Sequence, residues 1–328
     1  MLVDTAKLQT NMFVSKDTKP TRDGFGEALM ELGETNKDVV VLCADLAEST
    51  RVLPFKATYP ERYVEIGVAE QNLATVAAGL ANYGKIPFIA SYATFSPGRN
   101  NEQIRTTISL NNVPVKIAGM HAGVSVGPDG ATHQALEDIA LMRVQPNMTV
   151  VSPCDVEEAR KATLAAAASG KPMYLRFSRE ATAMMTTTET PFEIGKAQLV
   201  WLAEKPRVAV FATGPLLYNA LLAAKHLDGE IAVSVINIHT IKPLDTKAIV
   251  SAAKSAGAVV TVEEHQVAGG LGSAIAEVLA GECPVPMEFI GVHDQFGQSG
   301  TMEQLFEHYG LGVKHIVQAI RKADARRA

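Results

Sequence analysis

Apolar residues along the chain keep two rhythms. Behind Thr21-Arg22-Asp23, positions Phe25, Ala28, Leu29 and Leu32 recur at helical spacing, which predicts a capped amphipathic helix after a polar amino-terminal arm of residues 1–20. Val39–Cys43 is an unbroken apolar run and predicts a buried strand. The alternation continues with a small-residue helix over Ala69–Asn82, strand Pro87–Ser91, helix Asn100–Asn111 and strand Val113–Ala118. Helix Gln134–Arg143, strand Thr149–Ser152, helix Val156–Ser169 and strand Met173–Phe177 follow. Continuous apolar strands between helices are the pattern of a parallel sheet covered on both faces.

From Arg179 to Thr190 the pattern dissolves into REATAMMTTTET, closed by Pro191, a composition that predicts a linker over residues 181–195. Beyond it, strands at Val208–Ala212, Ala232–Ile236, Ala258–Val262 and Met287–Ile290 alternate with helices near Leu216–Leu227, Thr246–Ser255 and Leu271–Ala280, and a last helix covers Lys314–Ala325. The expected class is α/β, with one parallel or mixed-sheet domain over residues 21–180 and a smaller one over 196–328.

Composition narrows the function. Thirty Lys plus Arg against thirty-five Asp plus Glu leave a formal charge of −5, which argues against nucleic acid as a partner. Cys43, Cys154 and Cys283 lie far apart, so neither a disulfide framework nor a zinc site is expected. No apolar run approaches the roughly 18 residues of a membrane span. The amino terminus carries Asp4 and no apolar leader core. A soluble, cytoplasmic protein is predicted.

Five places carry residue types that could do chemistry. Gly67-Val68-Ala69-Glu70-Gln71-Asn72 puts one carboxylate at the start of an otherwise apolar helix. An acid there is ordinarily a solvated partner of the helix dipole. The LATVAAGLA behind Glu70 argues instead for a covered carboxyl, and burial favours its neutral form. The second place is HAGVSVGPDGATH, from His121 to His133 with Asp129 inside it. Its glycines allow close approach of backbone to a ligand, and α/β sheets place sites in such loops. One loop histidine is ordinarily structural; two, with Asp129 and Gln134, leave a structural and a functional role equally open. Their spacing fits no ordinary metal-ligand pair, so no metal site is expected in this chain.

Arg22, Arg179 and Ser49 form the third group. A guanidinium suits phosphate or carboxylate because it donates two parallel hydrogen bonds, although each arginine alone is ordinarily a surface charge. Tyr92 and Phe95, with Phe88 before them, could be a stacking platform or simply core. Ala268-Gly269-Gly270-Leu271-Gly272-Ser273 lacks the spacing of a dinucleotide fingerprint and is read as a tight strand–helix junction.

Taken in order, ADLAEST (44–50), ERYVEIGVAEQN (61–72), PFIASYATF (87–95), the segment 121–155 and LRFSRE (175–180) resemble the carboxyl-terminal half of a transketolase. INIHTIKPLD (236–245) and VEEHQVAGGLGS (262–273) extend the resemblance over essentially the whole chain. It implies a pyrimidine-binding domain for thiamin diphosphate followed by the smaller transketolase carboxyl-terminal domain. Matched residue by residue, Glu70 would hydrogen-bond N1′ of the cofactor's aminopyrimidine, with Tyr92 and Phe95 lining that pocket and Asp45 and Leu46 near the thiazolium. His133 and Asp129 would contact substrate hydroxyls, His133 as a proton carrier. Arg22, Ser49, His121 and Arg179 would hold the sugar's terminal phosphate.

Two departures from the family pattern stand out. Gly98 replaces a third aromatic of the pyrimidine pocket. Nothing matches the GDG motif with its distal Asn that binds Mg²⁺ and the diphosphate in the family's amino-terminal domain. The resemblance therefore implies one subunit of a split transketolase, inactive without an amino-terminal-half partner that holds most of the Mg²⁺ site, in an α2β2 assembly, with a homodimer possible for the isolated chain. The expected activity is transfer of a two-carbon ketol unit from a ketose phosphate to an aldose phosphate. Deoxyxylulose-phosphate synthases share the AEQ segment but lack a histidine like His121. The β subunits of 2-oxoacid dehydrogenases fit the THQ element poorly. A non-catalytic assembly partner would have no need of this constellation.

Overall fold

The computed structural model describes residues 1–327. Its first half runs β1 (Thr18–Pro20), α1 (Thr21–Thr35), β2 (Val39–Cys43), α2 (Leu53–Thr58), β3 (Tyr63–Glu65), α3 (Glu70–Asn82) and β4 (Ile86–Tyr92). There follow α4 (Asn101–Gln103), continued by a wider π turn over Ile104–Ser109, then β5 (Lys116–Met120), α5 (Asp138–Arg143), β6 (Thr149–Val151), α6 (Val156–Ala168), β7 (Met173–Arg176) and β8 (Ala181–Ala183). The second half runs β9 (Gln198–Leu202), β10 (Val208–Ala212), α7 (Leu217–His226), β11 (Val233–Asn237), β12 (Thr240–Lys242) and α8 (Thr246–Ala256). It ends with β13 (Val259–Gln266), α9 (Leu271–Glu282), β14 (Met287–Val292), α10 (Met302–His308) and α11 (Val313–Ala325).

Two large sheets result, as the apolar runs predict, beside a two-stranded sheet of β1 and β8. The larger has seven strands in the order β12-β6-β7-β5-β4-β2-β3, and the smaller five in the order β14-β13-β10-β11-β9. Only β12 and β9 run antiparallel to their neighbours in the two large sheets. On one face of the larger sheet, Phe25 of α1 packs at 5.2 Å on Phe177 and at 6.1 Å on Phe88 of β4. Each such fully buried ring contributes roughly 2–3 kcal/mol by area, and each ring pair about 1 kcal/mol more. The opposite face packs α3 against β2, β4 and β5, and its core continues through Ile236, Ile238 and Ile241 to Phe211, Ile249 and Leu271 of the second half. The two halves therefore share one apolar core, and β12 adds a strand from the second half to the sheet of the first.

Several local expectations are corrected. Thr21 lies inside α1 and does not cap it: its hydroxyl accepts from the Ser178 amide at 2.7 Å, tying the helix start to the end of β7. The arm before α1 is not free, because Met12 is buried, Val3 donates to Val200 O and Gln9 to Met185 O. The Thr-rich linker is also anchored. β8 pairs with β1, and the buried Asp155 carboxylate accepts from the amides of Met185 at 2.7 Å and Thr186 at 2.6 Å. The helix predicted from Gln134 starts at Asp138, since Ala135 bridges to Ala122 and its carbonyl accepts from Gly123.

Candidate active site

The carboxyl ends of β7, β5, β4, β2 and β3 lie side by side in the larger sheet. In that order they deliver Arg179, His121, Tyr92 with Phe95, Asp45 through Ser49, and the turn into Glu70. Crevices at this edge are where open α/β sheets bind ligands. Two non-glycine residues there, His121 at φ +55° and Asp45 at φ +59°, hold left-handed backbone, a strain characteristic of functional sites.

Glu70 is the first residue of α3 and only 1% exposed, as the apolar sequence behind it predicts. Its carboxylate is nevertheless paired. Arg99 Nη1 donates to Oε2 at 2.7 Å, and the Ser91 hydroxyl lies 3.5 Å from Oε1. The Arg99 guanidinium stands over the Phe95 ring, 4.7 Å from its centroid. Asn100 donates through Nδ2 to the Glu70 carbonyl and to Ser96 Oγ, while its Oδ1 is buried with no partner. At Gly98 a Cβ would lie 2.0 Å from the Thr94 carbonyl oxygen, so this turn admits no side chain there.

From Phe95 the contacts continue toward a cationic corner. Phe95 stacks with Tyr92 at 5.9 Å, and both meet His133 edge-on at 5.5 and 5.9 Å. Tyr92 stacks on His121 at 4.1 Å, and His121 Nε2 meets Arg22 Nη1 at 2.7 Å. Burial and then the Arg22 and Arg179 charges push His121 down to about 3, so its ring is neutral and accepts from Arg22. Arg22 also donates to the Ser49 carbonyl at 2.9 Å, and its Nε is buried without a partner. Burial, followed by the charge of Arg51, lowers Arg22 below its usual range. Arg179 donates to Val126 O at 2.7 Å and lies 3.8 Å from Asp129.

Of the residues singled out in the sequence, Tyr92, Phe95, His121, His133, Arg22 and Ser49 thus form one run of contacts, which Arg99 connects to Glu70, while Arg179 and Asp129 meet each other at the histidine loop. Asp45 and Leu46 stand at the end of β2, with no hydrogen bond to that run among the described residues. Three supporting residues escape sequence reasoning. Glu65 accepts from the amides of Asp45 at 2.8 Å and Gly67 at 3.0 Å, bracing both turns. Burial opposes its charge, but bonds from Tyr63 and these amides outweigh that and leave the carboxyl lowered. Glu264 of β13 accepts from the Ser125 amide inside the histidine loop, and a Cβ at Gly123 would come within 2.3 Å of that carboxylate. Arg99 is the third. Only the Glu-Glu pair after β13's apolar start, acids in a buried strand, was a visible signal for any of them.

The glycine-rich junction before α9 holds no free anion site: Glu263 accepts from the Leu271 and Gly272 amides at 2.7 and 2.8 Å. Among the described residues, no group of three His, Cys, Asp or Glu side chains is placed to hold a metal ion. None of their helices is long and apolar enough to cross a membrane.

Comparison with known proteins bears on this geometry. Residues 17–184 match the transketolase pyrimidine binding domain and residues 195–316 the transketolase C-terminal domain. The chain is 39% identical over 307 residues to a 6-deoxy-6-sulfo-D-fructose transketolase subunit from Clostridium sp. strain MSTE9, covering 93% of this chain and 95% of that one. It is 36% identical to an apulose-4-phosphate transketolase subunit from Phocaeicola vulgatus, covering 88% and 93%. A solved split-gene transketolase, described as an inactive β4 tetramer, superposes with a TM-score of 0.87 at 44% identity, covering 94% and 99%.

Proposed function

The chain belongs to the transketolase family, and from that premise we propose that it is the pyrimidine-domain subunit of a split transketolase. With an amino-terminal-half partner it moves a two-carbon ketol unit from a ketose phosphate to an aldose phosphate in the cytoplasm. Residues 21–180 form its pyrimidine-binding domain and 196–328 its carboxyl-terminal domain. The observation that carries this reading is the continuous run of contacts joining the buried Glu70 carboxyl to the Arg22–His121 pair across the ends of neighbouring strands.

Thiamin diphosphate suits the residues present. A flat, nitrogen-bearing group, the Arg99 guanidinium, already satisfies Glu70 and covers Phe95, and the unpartnered Asn100 Oδ1 borders the same helix start. When bound, the cofactor supplies a carbanion equivalent for breaking and making the bond beside a carbonyl. With the cofactor bound, Glu70 would donate its carboxyl proton in a hydrogen bond to N1′ of the aminopyrimidine, Phe95 and Tyr92 would cover the ring, and Asp45 with Leu46 would bound the thiazolium side. The diphosphate and most of the Mg²⁺ coordination fall to the partner.

The substrate's phosphate goes to the cationic corner. Arg22 Nε and His121 Nδ1 are buried without partners, donors that a side-chain shift would turn to an anion. Arg179 completes the cradle once Asp129 turns to a substrate hydroxyl, and Ser49 closes it from the β2 side. His133, partly exposed between Phe95 and Tyr92, is placed to carry a proton near the reacting carbons. In the assembled enzyme, donor competition tests the reaction class. Ketose phosphate with aldose phosphate should turn over and pyruvate should not; preference for pyruvate would favour a deoxyxylulose-phosphate synthase or a 2-oxoacid dehydrogenase.

A further inference from the structure

Arg99 has no role in the chemistry just described, yet it contacts the two groups assigned to the aminopyrimidine. Its guanidinium plane, rimmed by N–H donors, bonds Glu70 Oε2 at 2.7 Å and covers the face of Phe95 at 4.7 Å. An aminopyrimidine is also a flat ring with nitrogens on its edge. Glu70 requires some partner, because a carboxylate 1% exposed is costly to leave unpaired, and Arg99 is the cation on it. The backbone around Arg99 is fixed: Asn100 is bonded to the Glu70 carbonyl and to Ser96, and Gly98 is packed against the Thr94 carbonyl. The Arg99 side chain is by contrast 47% exposed, so it can swing into solvent without disturbing that backbone.

We infer that Arg99 is a stand-in for the cofactor's aminopyrimidine: it occupies Glu70 and the Phe95 face in the cofactor-free protein and gives up both when the cofactor binds. This rests on the reading of Glu70 as the pyrimidine's partner. The contact keeps the buried carboxylate satisfied before assembly and makes binding compete with an internal ligand. The apparent dissociation constant is then the intrinsic one divided by the fraction of molecules in which Arg99 has left the site. A half-exposed ion pair reinforced by a cation–π contact is strong enough for a penalty of about tenfold.

The test is thiamin diphosphate binding with Mg²⁺ to the assembled complex, measured by calorimetry for wild type, Arg99→Ala, Arg99→Gln and Glu70→Ala. The inference predicts about tenfold tighter binding for both Arg99 variants and weaker binding for Glu70→Ala. A crystal structure of the loaded wild-type complex should show Arg99 withdrawn from Glu70. If the Arg99 variants bind equally or more weakly while Glu70→Ala is weakened, the stand-in is overturned and the Glu70 assignment survives. If Glu70→Ala binds like wild type, the pyrimidine site itself is wrong and the stand-in falls with it. Should the alanine variant not fold, the glutamine variant and the loaded structure decide the matter.

Discussion

Replacing His121 with Asn should remove a defined part of the protein's acid sensitivity. In the folded chain His121 is 2% exposed and receives a hydrogen bond from Arg22 at 2.7 Å, an arrangement that requires a neutral ring. Burial and the neighbouring arginines push it from 6.5 down to about 3. The unfolded chain therefore binds the extra proton first. Stability contributed by this group is complete above pH 6.5 and is lost as the pH falls toward 3. At pH 5 the unfolded imidazole is almost fully protonated and the folded one is not, which costs about 2 kcal/mol. That figure depends on the unfolded-state value alone once the folded value lies well below 5. Other buried groups titrate over the same range: His239 and His265 are pushed down to about 4, while Glu158 and Glu263 are pushed up to about 7 and about 8, each chiefly by burial. They are common to both proteins and cancel in the comparison. Urea unfolding of wild type and His121→Asn at pH 7 and pH 5 should show the wild type losing about 2 kcal/mol more than the variant. Equal losses would refute the neutral, Arg22-bound His121.

Three further outcomes follow from the geometry. Glu70→Gln in the reconstituted enzyme should lower kcat by about a hundredfold or more, since its amide cannot supply the carboxyl's proton; steady-state kinetics at saturating cofactor would read this, and unchanged turnover would point to a non-catalytic scaffold. Gly98→Ala places a Cβ 2.0 Å from the Thr94 carbonyl oxygen and should cost about 1–3 kcal/mol in urea unfolding, with weaker cofactor binding as the Phe95–Arg99 turn shifts. Asp138→Ala strands Arg176, which is 5% exposed and bonded to Asp138 at 2.8 Å, and should destabilise the chain by roughly 3–5 kcal/mol in the same assay.

Much of this was legible because buried parallel strands are written as unbroken apolar runs. Val39–Cys43 and Val208–Ala212 are strands at those very boundaries. The antiparallel additions were not legible. β12 is only three residues long, and β9 buries just Val200 and Trp201 at a sheet edge. The anchoring of the Thr-rich segment depends on Asp155, some thirty residues away in the chain, and local composition carries no trace of it. The candidate site divides in the same way. Glu70 and the histidine loop announce themselves by residue type in an unusual setting, whereas Arg99 reads as one more turn arginine until the fold brings it onto Glu70. Glu65 and Glu264 likewise act through strand adjacency, which spacing along the chain does not encode.

If this chain carries one half of a thiamin-diphosphate site, the other half must come from its amino-terminal-half partner. The most direct measurement is ketol transfer between sugar phosphates, with thiamin diphosphate and Mg²⁺ present, by the purified chain alone and after titration with its amino-terminal-half partner, the assembly's mass being determined in the same sample. The chain alone should show no turnover, and activity should saturate at one partner per chain in an α2β2 particle. Turnover by the isolated chain would contradict a shared site.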